Sequence, residues 1–286
     1  MIIGNFSVTD FNQLPSLGSG MGFRLPLAKQ ILAAQESLDF LEITADHFME
    51  MSRQREKLLD QLKSQYTLIP HGLSLSLGSA EGLNSGYLRQ LTDLVERVNP
   101  PWWSEHISFS KAGGVEIGHL SPVPFNGSGL KALCENIRIA TESIARPLIL
   151  ENITYTMALP WNEIDEAEFL SELLDRTGSG LLLDVTNLYT NSENHKYDAV
   201  AFLDHLPADR VVQLHYVGGE QREGKIIDNH SHATPEPVWA LLREVFKRFP
   251  IKGAILERDA NFPEFDTLLS EVERCRATAQ KAGRWT

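Results

Sequence analysis

"GLLLDVT", residues 180–186, is a continuous apolar run closed by an aspartate. A run this short and this apolar reads as a strand buried on both faces, and Asp184 breaks the pattern at its C-terminal end. The same pattern recurs on either side. "SGMGF" (19–23), "DFLEIT" (39–44), "TLIPHGLSL" (67–75), "WWSEHISF" (102–109), "PLILENI" (147–153), "VVQLHYV" (211–217) and "GAILERD" (253–259) are the other candidate strands. Between them, "PLAKQILAAQESL", "REKLLDQLKSQ" and "PVWALLREVFKRF" carry apolar residues at intervals of three and four, as helices lying on a sheet do. Eight strand–helix units predict the α/β class and a single (β/α)8 TIM barrel spanning residues 1–286, rather than an open sheet. No linker or low-complexity stretch divides the chain, and no fixed-period repeat is visible, so the expectation rests on the number of elements.

Polar residues interrupt seven of the eight runs near one end: Glu42, His71, Glu105 with His106, Glu151, Asp184, His215 and Glu257. In a barrel those ends converge on one mouth, where this fold places catalytic residues. Any one of them alone would ordinarily be a hydrogen-bonded structural group. Together, unpaired, the carboxylates would cost on the order of several kcal/mol each in desolvation and repulsion. Arg24 and Arg258 are the nearest cationic side chains, which leaves metal ions as the expected counter-charge.

The candidate ligands offer nitrogen and oxygen but no sulfur, a set suited to iron, zinc or manganese. Neighbouring residues of a strand face opposite ways, so Glu105 and His106 cannot both face the axis unless the strand ends or bulges. His106 is the expected ligand, with Glu105 supporting it or touching substrate. Asn187, three residues beyond Asp184, reaches back toward the mouth or serves the turn. In "DNHSHATPEPVW" (228–239), an extended loop presents Asp228 and His230 on one side of the chain. His232 shares that parity but belongs to the loop, and His195 in "NSENHKYD" is a loop or substrate-side residue.

Composition narrows the partners. Lys and Arg number 26 against 38 Asp and Glu, a net charge of −12, which opposes a surface for phosphate backbones. Cys134 and Cys275 lie far apart with no CxxC spacing, so neither a disulfide framework nor a thiolate site is expected, and a reduced, cytoplasmic chain is. The first twenty residues lack a basic start and a long apolar run, and no 18 consecutive residues are apolar, so neither signal peptide nor membrane span is expected.

"GSGMGFR", "FLEITADHFM", "PHGLSLSLGS", "SEHISFS", "LENI", "LLLDVTNLY", "DNHSHATPEPVW" and "ILERDANFPE" resemble, in order, segments of the multinuclear non-heme iron-dependent oxidative enzymes that modify ribosomally made peptides. That family is similar in fold to endonuclease IV and xylose isomerase. The resemblance implies one iron held by His71, His106 and Glu151, a second by Glu151, Asp184, His215 and Glu257, and a third by Asn187, Asp228 and His230. Glu151, Asp184, His215 and Glu105 are the residues it implies in catalysis. It further implies two to three irons of mixed valence, O2 as co-substrate, oxidation at a cysteine of a precursor peptide, and a separate partner that binds the peptide's leader. The chain departs from many relatives at Asp46 and His47, where they look like "ENYM"; His47 either tunes the substrate side or packs there. The roles of Glu42, His47, His195 and His232 stay open. The competing readings are a metal-dependent phosphodiesterase or sugar isomerase on the same scaffold, and a non-catalytic barrel that binds peptide or metal.

Overall fold

Barrel strands form where the apolar runs predict them. The computed structural model describes residues 10–285, so the signal-peptide reading of the first twenty residues lies in part outside the described residues. In chain order the strands are β1 (Gly18–Gly22), β2 (Phe40–Thr44), β3 (Thr67–His71), β4 (Trp103–His106), β5 (Ser108–Ala112), β6 (Val115–Pro122), β7 (Leu148–Glu151), β8 (Gly180–Asp184), β9 (Val211–Tyr216), β10 (Gly218–Arg222), β11 (Lys225–His232) and β12 (Gly253–Leu256). Eight of them close a parallel barrel in the order β1-β12-β9-β8-β7-β4-β3-β2, while β5–β6 and β10–β11 are separate antiparallel hairpins.

Nine helices are described: α1 (Ala28–Ala33), α2 (Arg53–Gln65), α3 (Ser85–Val98), α4 (Gly127–Ser143), α5 (Glu166–Thr177), α6 (Val185–His195), α7 (Ala199–Asp204), α8 (Glu236–Arg248) and α9 (Phe265–Lys281). Their starts follow from side-chain caps. Ser52, Asn84, Asn126 and Asp165 each accept a backbone N–H of the first turn of α2, α3, α4 and α5.

Two apolar clusters hold the fold. The larger joins the outer faces of the strands to the helices. The smaller takes Phe40, Ile69, Trp102, Ile149, Leu182, Val212 and Ile255 from seven barrel strands or their immediate flanks, together with Phe11. Side chains alternate along a strand, so the face that buries Phe40, Ile69, Ile149, Leu182 and Ile255 presents Glu42, His71, Glu151, Asp184 and Glu257 two residues later. The apolar plug and the polar mouth are thus successive layers of one interior.

The sequence reading needs four corrections. The strand expected to reach 75 stops at His71: the Gly72 N–H still bonds β4 at Ser104 O, but Leu73 turns its N–H to the Asp46 side chain. The run 102–109 divides after His106, and its end opens the β5–β6 hairpin. Residues 228–232 are no extended loop but strand β11, paired with β10. Of the helix expected over 26–38, only Ala28–Ala33 is α-helical. No described helix is long and apolar enough to cross a membrane.

Candidate metal centre

Strand register brings the polar ends level. His71 pairs with Ser104, His106 with Glu151, and Asp184 with His215. Glu42, His71, His106, Glu151, Asp184, Asn187, His215 and Glu257 are buried, and Asp228 and His230 are half-buried.

Glu151 divides its oxygens between neighbours. Oε2 lies 3.2 Å from His71 Nε2 and 3.1 Å from His106 Nε2, while Oε1 lies 3.1 Å from His215 Nδ1. His215 Nδ1 is also 3.0 Å from Glu257 Oε2. Donor atoms of His71, His106 and Glu151 therefore converge within 4.8 Å, as do those of Glu151, Asp184, His215 and Glu257. Two further groupings, Glu42–His71–Glu257 and His230–Glu257–Asp259, meet the same limit. On the hairpin side, His230 Nε2 lies 2.7 Å from Asp228 Oδ1.

Hydrogen bonds fix which atom each group turns inward. Asp184 caps α6 by accepting the Asn187 N–H at Oδ1 (2.8 Å), so Oδ2 is left over. Asn187 Nδ2 donates to Asn152 O (3.1 Å), which leaves Oδ1. His106 Nδ1 faces Gly72 O at 3.0 Å and His71 Nδ1 faces Ser104 Oγ at 2.8 Å, so both rings turn Nε2 toward Glu151. Thirteen buried side-chain polar atoms among the described residues have no hydrogen-bond partner. Six of them are His71 Nε2, Glu151 Oε2, Asp184 Oδ2, Asn187 Oδ1, Asp228 Oδ1 and His230 Nε2; His71 faces Glu151 and His230 faces Asp228 at ion-pair distance but without hydrogen-bond geometry. Buried polar groups are rarely left unsatisfied, and six such atoms gathered at one barrel mouth form a donor set that fits cations.

Without cations, the side chains balance charge among themselves. Burial draws the His106 pKa down, but Glu151 and Glu105 outweigh it and carry it up to about 9. His215 rises well above the imidazole range against burial, through Glu42, Glu257 and Glu151; His230 does so through Glu257, Asp228 and Asp259. Glu151 is held down at about 2 against burial by His106, His215 and His71. Asp184 goes the other way, up to about 7, because burial adds to the field of Glu151 and Asp228. A cation entering here displaces imidazole protons and takes over their charge.

Glu105 points elsewhere. Its Oε1 accepts the His106 N–H (2.8 Å) and its Oε2 the Leu75 N–H (3.2 Å), pinning the loop after β3. Arg24 reaches the mouth, ion-paired with Asp259 and 3.3 Å from Glu257, whereas Arg258 turns away to Ala260 O and Asn261 O. His47 is exposed on the rim of a cleft of about 320 Å³ beside Arg24, Phe48 and Phe262. His195 stacks on Tyr155 at 4.5 Å and contacts its carbonyl oxygen, and His232 is exposed with Nδ1 beside Ser231 Oγ.

Sequence reasoning missed Ser104, Asn152, Gln213 and Asp259. The first three are uncharged polar residues in or just after otherwise apolar strand runs, the same signal that exposed the carboxylates, one step weaker.

A family model described as RiPP precursor modification enzyme MbnB/TglH/ChrH matches residues 18–280. The chain belongs to this family. MbnB/TglH/ChrH enzymes act on precursor peptides, and the expected kinship with multinuclear iron enzymes is borne out at that level. UPF0276 proteins are among the relatives. One from Caulobacter vibrioides is 36% identical over 264 residues, covering 92% of this chain and 94% of that protein. One from Streptomyces avermitilis is 38% identical over 277 residues, covering 94% of this chain and 56% of a longer protein. Solved structures share the barrel alone. D-psicose 3-epimerase from Clostridium cellulolyticum has a TM-score of 0.55 at 11% identity, covering 92% of this chain and 93% of that one. A candidate xylose isomerase from Rhodospirillum rubrum has a TM-score of 0.57 at 11% identity, covering 93% and 99%. The MbnB/TglH/ChrH chain described here is thus a TIM barrel of the xylose-isomerase type.

Proposed function

We propose that the protein uses iron and O2 to oxidise a residue, cysteine in the first instance, of a ribosomally made precursor peptide. The observation that carries this reading is the set of six nitrogen and oxygen donors left without hydrogen bonds at the mouth of a barrel from a peptide-modifying family. His71, His106 and Glu151 would hold one ion, Glu151, Asp184, His215 and Glu257 a second, and Asn187, Asp228 and His230 a third. Two or three iron ions of mixed valence would supply sites for a thiolate and for O2, and the redox equivalents the oxidation needs.

The chain's own part is positional. Glu151, with Oε2 facing His71 and His106 and Oε1 facing His215, would belong to both cation groups. The plug of Phe40, Ile69, Trp102 and Ile149 closes the interior below and keeps water out from that side. Glu105 holds the loop after β3 against His106, so that the first group keeps its shape as substrate arrives. Arg24 offsets charge on Glu257 and Asp259. A separate leader-binding protein delivers the peptide, and the reaction belongs to the cytoplasm.

Metal analysis with Mössbauer spectroscopy on protein from iron-supplemented cells tests this, followed by mass spectrometry of a cysteine-containing precursor peptide incubated with enzyme, O2 and the delivery protein. Two or three irons per chain and an O2-dependent mass change are expected. Stoichiometric zinc or manganese, with no O2 reactivity after iron reconstitution, would overturn the reading. Full turnover without a delivery protein would remove that part of it.

A further inference from the structure

Glu42 stands out at the mouth because, although it also groups with His71 and Glu257, both its oxygens already face donors on the far side of His215. Both carboxylate oxygens lie 2.9 Å from His215 Nε2, and Oε2 also accepts from Gln213 Nε2 at 2.6 Å. Glu151 Oε2 and Asp184 Oδ2 each lack a hydrogen-bond donor, whereas both oxygens of Glu42 face one. Glu42 therefore behaves as the partner of a ligand rather than as a ligand.

The orientation of this contact is determined from the far end. Trp102 Nε1 is a donor only, and it lies 2.8 Å from Gln213 Oε1. The amide of Gln213 is thereby fixed with its NH2 toward Glu42. Glu42 must accept from that NH2, so it faces His215 as an acceptor, and His215 Nε2 must carry a hydrogen. The proton a cation would displace, and the lone pair it would then meet, are on Nδ1, the atom turned toward Glu151 and Glu257. His71 and His106 turn Nε2 inward instead, so His215 is the odd ring of the centre.

We propose that Glu42 is a positioning residue for the second metal. Through the relay Trp102–Gln213–Glu42 it holds His215 in the tautomer that offers Nδ1, and its negative charge strengthens that nitrogen as a donor. The inference rests on the proposed cation position at Glu151, Asp184, His215 and Glu257.

Zinc titration of the whole protein, with histidine labelled with nitrogen-15 for long-range proton–nitrogen NMR, tests it. In the zinc-loaded wild type, His215, assigned by its loss in His215→Gln, should show the Nε2–H tautomer with Nδ1 bound, opposite to His71 and His106. Glu42→Gln keeps the shape of the side chain and an acceptor oxygen but removes the charge. It should weaken zinc at one position by roughly 10- to 100-fold while the remaining uptake and the fold, followed by circular dichroism, stay unchanged. Trp102→Phe, which frees Gln213 to turn over, should weaken the same position by less. His215 bound through Nε2, or wild-type affinity in Glu42→Gln, would overturn the proposal and leave the metal centre standing. A crystal structure with a Glu42 oxygen on the metal would overturn it in favour of direct ligation. A wild-type protein that takes up no zinc or iron would remove the centre itself and this inference with it.

Discussion

Asn152 and Asp184, on adjacent barrel units, are locked together by reciprocal hydrogen bonds: the Asp184 N–H donates to Asn152 Oδ1 at 2.9 Å, and Asn152 Nδ2 donates to Asp184 O at 3.1 Å. Both residues are buried, and Asn187 ties in through Asn152 O. The Asn152 side chain thus aligns Asp184, and its main-chain carbonyl aligns Asn187, without entering the centre.

Asn152→Ala should leave a buried N–H and a buried C=O unpaired, at a cost of about 1–3 kcal/mol for each group. Chemical denaturation of the metal-free protein reads that loss. Metal content should fall too, because Asp184 loses its anchor, while Asn187 keeps its bond to the main-chain oxygen of residue 152.

Asp184→Asn should separate stability from metal binding. Burial and the neighbouring Glu151 and Asp228 already push the Asp184 carboxyl up to about 7, so the neutral amide should be tolerated by the metal-free fold. Differential scanning calorimetry should show a midpoint at or above wild type without metal, and loss of most of the rise that iron or zinc gives the wild type. Glu151→Ala should abolish metal uptake and peptide oxidation together; full iron content and turnover in that variant would refute its ligand role.

Gly72 sits where an added Cβ would collide with Glu105 Oε2. Glu105 is buried and engaged at both oxygens, so it cannot swing aside freely. Gly72→Ala should therefore cost about 1–3 kcal/mol through the lost bonds to Leu75 and His106. Double substitution with Glu105→Gln should be clearly non-additive, since the two share one contact.

Glu166, at the start of α5, supplies a pH dependence away from the centre. Burial pushes its carboxyl up to about 8, with the Tyr155 hydroxyl donating to it at 3.1 Å. Protonated in the native state and ionised in the unfolded chain above about 4.5, it makes the native state bind the extra proton. Stability should thus fall as pH rises from about 4.5 to about 8, with a slope of up to about 1.4 kcal/mol per pH unit. Glu166→Gln should flatten that part of the profile; an unchanged slope would assign it to other groups.

The barrel and the convergence of its strand ends were legible because both depend on short-range patterns: apolar runs of fixed length, and a polar residue at the same end of each. Strand parity alone put Glu105 and His106 on opposite faces, without saying which of the two turns inward. The β10–β11 hairpin was not legible, since "GGEQREGKIIDNHSH" lacks the alternation of a half-buried strand and its pairing depends on a turn at Glu223–Gly224, both at positive φ. Gln213 and Asn152 escaped notice because amides in a strand carry no charge to be accounted for. Their importance lies in what they orient, which only coordinates reveal.

The hairpins impose a distinction between donors that chemistry alone does not. His71, His106, Glu151, Asp184, His215 and Glu257 stand on or directly after barrel strands, but Asp228 and His230 ride on a two-stranded ribbon. The ribbon is moored by Asp259 N–H to His230 O at 2.9 Å and by Thr154 Oγ1 to Asp228 Oδ2 at 3.2 Å. Two-stranded ribbons open at far lower free energy than a closed parallel barrel. Exchange lability should follow that mechanical difference: a chelator added to metal-loaded protein should strip one equivalent rapidly and the rest slowly. Thr154→Val should speed the first phase alone.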